Sequence, residues 1–205
     1  MESKNIVPGD RSRLEIIPLG INCDISHHLR SKELRANAFP FDWNITPIQA
    51  TVELIRNDFE DFLDSSNLVF LPPVNRLLFN EDGVEVEIKN DIITPTICSR
   101  YHILFPHDFP SSGAEQLGTV KDKYNRRIDR LISLLQSETH LIFITHNEQL
   151  NDWQQEQYVA AFGKQLTNYY GKWEQELAAV LDEKYPNLNY SLCSLSDFRS
   201  QANIV

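Results

Sequence analysis

The chain has 205 residues, 41% of them apolar and 23% charged, with a net charge of −10. That composition suits one domain with a full core. The acidic balance excludes a broad nucleic-acid surface or a face built for anionic membranes, since both need a basic patch. The cysteines, Cys23, Cys98 and Cys193, are few, odd in number and far apart, so they form neither a disulfide framework nor a metal knuckle. No run reaches signal-peptide or membrane-spanning length, which makes the cytoplasm the default location and leaves signal-less secretion open. A flexible tail over residues 1–13 and a single α/β domain over 14–205 are expected.

The first predicted strand is the apolar run of Leu14, Ile16, Ile17 and Leu19, which stops at Gly20. An amphipathic segment follows, with Ile25, Leu29 and Leu34 on one face to about residue 34. Strand, tight turn and helix start place Cys23 in the first helical turn, among unpaired backbone N–H groups that favour thiolate. Such a thiol can equally be a small buried hydrophobe. His27 and His28 point about 100° apart on the helix and cannot share a metal. In the aromatic cluster Phe39-Pro40-Phe41-Asp42-Trp43, Asp42 either caps a backbone N–H or orients a group beside the cysteine turn. Thr46, Pro47 and Gln49 match a capping box opening a second helix, whose stripe continues through Ile48, Val52 and Ile55.

Two short β-type runs, 77–79 and 84–88, flank a glycine-closed loop and predict a small edge hairpin. A further β-prone run ends at Phe105. Pro106 breaks it, leaving His107 and Asp108 just past the strand, where a histidine can serve as general base or simply sit at the surface. His102, inside that run, is expected to be packed. Leu117, Val120, Tyr124, Ile128, Leu131 and Leu135 step by three and four and define a helix over residues 117–135. Its other face mixes acids with Lys121, Lys123, Arg126, Arg127 and Arg130, a solvated face or, at Arg126 and Arg127, an anchor for a substrate anion. Residues 140–145 form a continuous apolar strand suited to a parallel sheet, and His146 follows it. A helical region from 152 to 184 should break near Gly163 or Gly171, and residues 189–195 make the last strand. Alternating helices and strands imply an α/β/α three-layer fold with a mostly parallel open sheet.

Taken in order, LGINC, Leu34-Arg35, PFDW, FEDF near residue 60, HDFP at 107–110, KYNRRIDR at 123–130 and LIFIT at 141–145 carry a resemblance. The chain resembles a bacterial family of unknown function labelled as papain-like cysteine peptidases. The resemblance implies Cys23 as nucleophile, His107 as its base, Asp108 or Asp42 as orienting acid and Asn22 as an oxyanion donor. It also admits a papain-like α+β fold as the alternative.

Three functions follow. A cysteine-dependent hydrolase or acyl transferase would use Cys23 and His107 on a small-molecule or peptide substrate, with Trp43, Arg126 and Arg127 among the substrate contacts and no cofactor. A Rossmann-like transferase would instead hold a nucleotide-sugar or other phosphorylated ligand at the turn after the first strand, with Arg35, Arg126 or Arg127 supplying charge. A non-catalytic binding domain would keep Cys23 and PFDW as core. The histidines and acids show no metal-ligand spacing, so no metal is expected, nor any nucleic-acid or membrane partner.

Overall fold

The computed structural model describes residues 14–21, 23–79, 85–110, 113–146, 150–166 and 172–202. The first half contains β1 (Leu14–Pro18), α1 (Asp24–Ser31), α2 (Ile48–Arg56), β2 (Leu68–Phe70), β3 (Val74–Phe79), β4 (Glu85–Ile93), β5 (Thr96–Cys98) and β6 (Ile103–Phe105). The second half contains α3 (Leu117–Leu135), β7 (His140–Thr145), α4 (Asp152–Phe162), α5 (Trp173–Lys184), β8 (Tyr190–Ser194) and α6 (Leu195–Ala202).

Side chains alternate across a strand, and here both faces find apolar partners. The parallel sheet runs β1-β7-β8, with β7 central. Ile17, Leu141 and Phe143 enter a core shared with Tyr124, Leu131 and Leu135 of α3 and with Leu177, Val180 and Leu181 of α5. Ile16, Ile142 and Ile144 face the other way, onto Ile25 and Leu29 of α1 and Leu195 of α6. Helices cover both faces, which is why β7 reads as unbroken apolar sequence. The expected α/β layering forms, and α1 lies on the parallel sheet, not on a mostly antiparallel one as the papain-like alternative would have it.

Two antiparallel units accompany this sheet: β2-β5-β6, and the hairpin β3-β4. In the first, Cys98, Ile103 and Phe105 enter the main core, whereas Ile97 and Leu104 meet Tyr158 of α4. The hairpin is longer than the sequence indicated, and its loop, 80–84, lies outside the described residues, as does the tail 1–13. Among the described residues no helix is long and apolar enough to cross a membrane.

Local expectations held where no distant partner intervened. The third helix and the 140–145 strand have the expected bounds, and Gly163 ends α4 at φ +68°. Elsewhere tertiary contacts prevailed. The first helix stops at Ser31, because Glu33 turns left-handed (φ +56°) and the Leu34 N–H reaches back to the Leu29 carbonyl at 2.9 Å. Leu34 is consequently 43% exposed instead of buried. The capping box at Thr46 does not form: Pro47 occupies the cap, and the Thr46 hydroxyl donates to Asn44 Oδ1 at 2.6 Å. His102 lies in the turn before β6, exposed and with φ +54°, not inside a strand. The sixth helix, directly after the last strand, had no counterpart in the sequence pattern.

Candidate active site

The turn after β1 is shaped by one glycine. Gly20 has φ +95°, and a Cβ there would sit 2.7 Å from the Thr46 carbonyl oxygen, so a side chain is excluded on both counts. The Leu19 N–H donates to the Ile144 carbonyl at 2.8 Å, holding this end of β1 along β7. Cys23 then occupies the N-cap of α1, and its carbonyl accepts the His27 N–H at 2.9 Å. It is half-buried at the carboxyl edge of the parallel sheet, where α/β folds bind ligands. The other cysteines have different surroundings. Cys98 is fully buried, which pushes its thiol up. Cys193 is pushed up to about 11, by burial first and then by Asp197 and Glu174.

Successive residues of α1 differ by about 100°, so its polar side chains fall on two flanks. On one, the Ser26 hydroxyl donates to Asp42 Oδ1 at 3.3 Å and the His27 ring meets Trp43 edge-on at 5.1 Å. On the other, Asp24 Oδ2 lies 3.8 Å from His146 Nδ1, and His28 feels the charge of Arg199. Cys23 lies one turn before His27, on the first flank. His107 lies beyond β6, and burial lowers its proton affinity first; Arg76 and, least, His27 add to this, with Asp108 opposing. His146 approaches the Asp24 flank.

His107 is half-buried, with Nδ1 enclosed and without a hydrogen-bond partner among the described residues. Its carbonyl accepts a long bond of 3.5 Å from Arg76, whose Nε is paired with Asp91 at 2.7 Å. Burial favours the neutral imidazole, the form that can accept a proton.

The candidate acids have been put to different uses. Asp42 is fully buried and closed: Arg35 grips both its oxygens at 2.7 and 2.6 Å, and the Phe39 N–H adds a bond of 2.7 Å. Nothing is left to orient an imidazole, so Asp42 braces the PFDW loop, and Arg35 is spent on it instead of serving an anion. Asp108 accepts from Lys123 on one oxygen and from the Tyr124 hydroxyl, at 2.6 Å, on the other. It acts on His107 through its charge. Trp43 is half-buried beside His27. Arg126 is exposed, and the Arg127 guanidinium lies 5.3 Å from the Tyr124 ring centroid. Asn22 lies outside the described residues.

Asn44, Lys123 and Tyr124 were not singled out from the sequence as site residues, yet they connect its parts. Asn44 carried a signal: an amide between Trp43 and Ile45, in a run otherwise headed for the core, must have polar partners there. Its Nδ2 donates to the Pro40 carbonyl at 2.8 Å and to the Tyr124 hydroxyl at 3.4 Å. A cleft of about 400 Å³ along α4, lined by residues from Asp152 to Gln165, has no cysteine or histidine in its lining. A smaller one of about 230 Å³ lies at the ends of β7 and β8, lined by His146, Ser194, Leu195, Ser196 and Arg199.

No solved structure matches the chain. A curated relative, "Uncharacterized protein R408" of Acanthamoeba polyphaga mimivirus, is 30% identical over 138 residues, 62% of this chain and 59% of its own length. The chain spans about three-fifths of that relative. The signature beginning at β1 and passing through Cys23 and His107 matches a family model over residues 14–171, and the chain belongs to that family, described as "Putative papain-like cysteine peptidase (DUF1796)".

Proposed function

We propose that the protein is a cysteine-dependent hydrolase or acyl transferase in which Cys23 is the nucleophile and His107 the general base. One observation carries this: residues 45 and 46 bond at once to Leu104, three residues before His107, and to Ile21, two residues before Cys23. His107 takes the Cys23 proton, the sulfur attacks the substrate carbonyl, and backbone N–H groups at the start of α1, with Asn22, hold the oxyanion. The imidazolium then protonates the leaving group. Water, deprotonated by His107, releases the acyl group as acid, or an acceptor nucleophile takes it instead. Trp43 provides an apolar wall, and Arg126 and Arg127 attract an anionic part of a small-molecule or peptide substrate. Iodoacetamide labelling with peptide mapping tests the nucleophile. Cys23 should label well before Cys98 and Cys193; labelling of Cys23 no faster than Cys193 would refute it.

The cleft at the ends of β7 and β8 favours a second function, a transferase that binds a phosphorylated ligand near Arg199 and His146. A thermal-shift series with nucleotides and nucleotide-sugars separates the two. Stabilisation that persists in Cys23→Ala supports the transferase; absence of any shift counts against it.

A further inference from the structure

Residues 44–46 bond to the chain just before Cys23, to β6 just before His107 and to Tyr124 of α3. The Thr46 N–H donates to the Ile21 carbonyl at 3.1 Å, two residues before Cys23. Ile45 exchanges both backbone bonds with Leu104 of β6, at 2.8 and 3.1 Å, just before the strand end that carries His107. Thr46 donates to Asn44, and Asn44 donates to the Tyr124 hydroxyl. Tyr124 in turn donates to Asp108, the residue after His107, while Lys123 holds the other carboxylate oxygen. The chain of bonds Asp108–Tyr124–Asn44–Thr46–Ile21 therefore runs from the residue after His107 to the turn that leads into Cys23.

We propose that Tyr124 is a positioning residue of the Cys23–His107 centre, setting the His107–Asp108 strand end against the Cys23 turn; this rests on the function proposed above. Its ring is fully buried and edge-on to Phe62 and Phe105, at 5.5 and 5.4 Å, so the hydroxyl is held in one place. A phenylalanine would pack as well. A buried hydroxyl is costly unless bonded, and this one is bonded toward both halves of the centre. Burial and Asp108 keep its proton on, so it remains a donor.

The test is the pH profile of Cys23 alkylation by iodoacetamide in wild type, Tyr124→Phe and His107→Ala, with Cys98 labelling and thermal melting as controls. Tyr124→Phe should slow Cys23 alkylation about tenfold at neutral pH and move the midpoint up by about one unit. Cys98 should stay unlabelled, with a melting point near wild type. A merely structural tyrosine would lower the melting point and leave the profile of the folded protein where it was. If His107→Ala shifts the profile and Tyr124→Phe does not, the positioning role alone is overturned. If His107→Ala shifts nothing, the pair fails and takes the role of Tyr124 with it. Should Tyr124→Phe not fold, Asn44→Ala cuts the link to the cysteine turn while sparing the bond to Asp108. A shift in the same direction supports the proposal, and an unchanged profile overturns it.

Discussion

Asp42 and Asp108 each follow an aromatic or imidazole ring and accept a basic side chain, yet they are built differently. Asp42 and Arg35 form a closed pair, 0% and 7% exposed, whose other bonds go to Ser26 of α1 and the Phe39 N–H. Asp108 is 10% exposed and its partner Lys123 30%, and its second oxygen is tied to Tyr124 on another element. The first arrangement fixes a loop. The second ties the residue after His107 to α3. Similar sequence surroundings thus yield one acid bound by its own neighbourhood and one bound by α3, beside the histidine of the proposed centre.

Three perturbations sharpen this contrast. The largest effect should come from Asp42→Asn, which leaves the Arg35 guanidinium buried without its counter-charge; losing one member of a buried pair costs about 3–5 kcal/mol. Urea denaturation would show it, while Cys23 in the folded fraction alkylates as in wild type. Gly20→Ala should cost about 1–3 kcal/mol, from a positive φ and a clash with the Thr46 carbonyl, and should also slow Cys23 alkylation because the turn itself moves. Asp108→Asn reverses the pattern of Asp42→Asn. Its partner is partly solvated and Tyr124 can still donate to the amide oxygen, so stability should fall by about 1 kcal/mol, while the pH profile of Cys23 changes. Equal stability losses for Asp42→Asn and Asp108→Asn would erase the distinction.

A smaller effect concerns pH. Burial lowers the proton affinity of His107 in the folded protein, so the unfolded chain binds its proton more readily. The stability tied to His107 is complete above the ordinary histidine value of about 6.5 and declines as pH falls through it toward the lower folded value. His107→Gln should flatten that acid limb in denaturation measured at stepped pH. An unchanged limb would assign it to other groups.

What could be read from sequence was what short-range pattern determines. The stripe from Leu117 to Leu135, the apolar run of β7 and the break at Gly163 depend on periodicity and backbone preference, and all appear with the expected bounds or position. Cys23 at a strand–helix turn and His107 beyond a strand end were legible for the same reason. Partner choice was not. Thr46 has a capping sequence, but Asn44 and the Ile21 carbonyl claim it. Asp42 looked available because nothing local shows Arg35 folding back onto it. Tyr124 reads as one more core position on an amphipathic helix, and only the packing of α3 against the 44–46 segment gives its hydroxyl two partners.

The central claim is that Cys23 and His107 share a proton. Ultraviolet titration of the thiolate, taken as the difference between wild type and Cys23→Ser, measures this directly. The account predicts a Cys23 thiolate that forms well below the ordinary thiol value of about 8.5 and returns toward it in His107→Ala. A titration centred on the ordinary value in both proteins would contradict it.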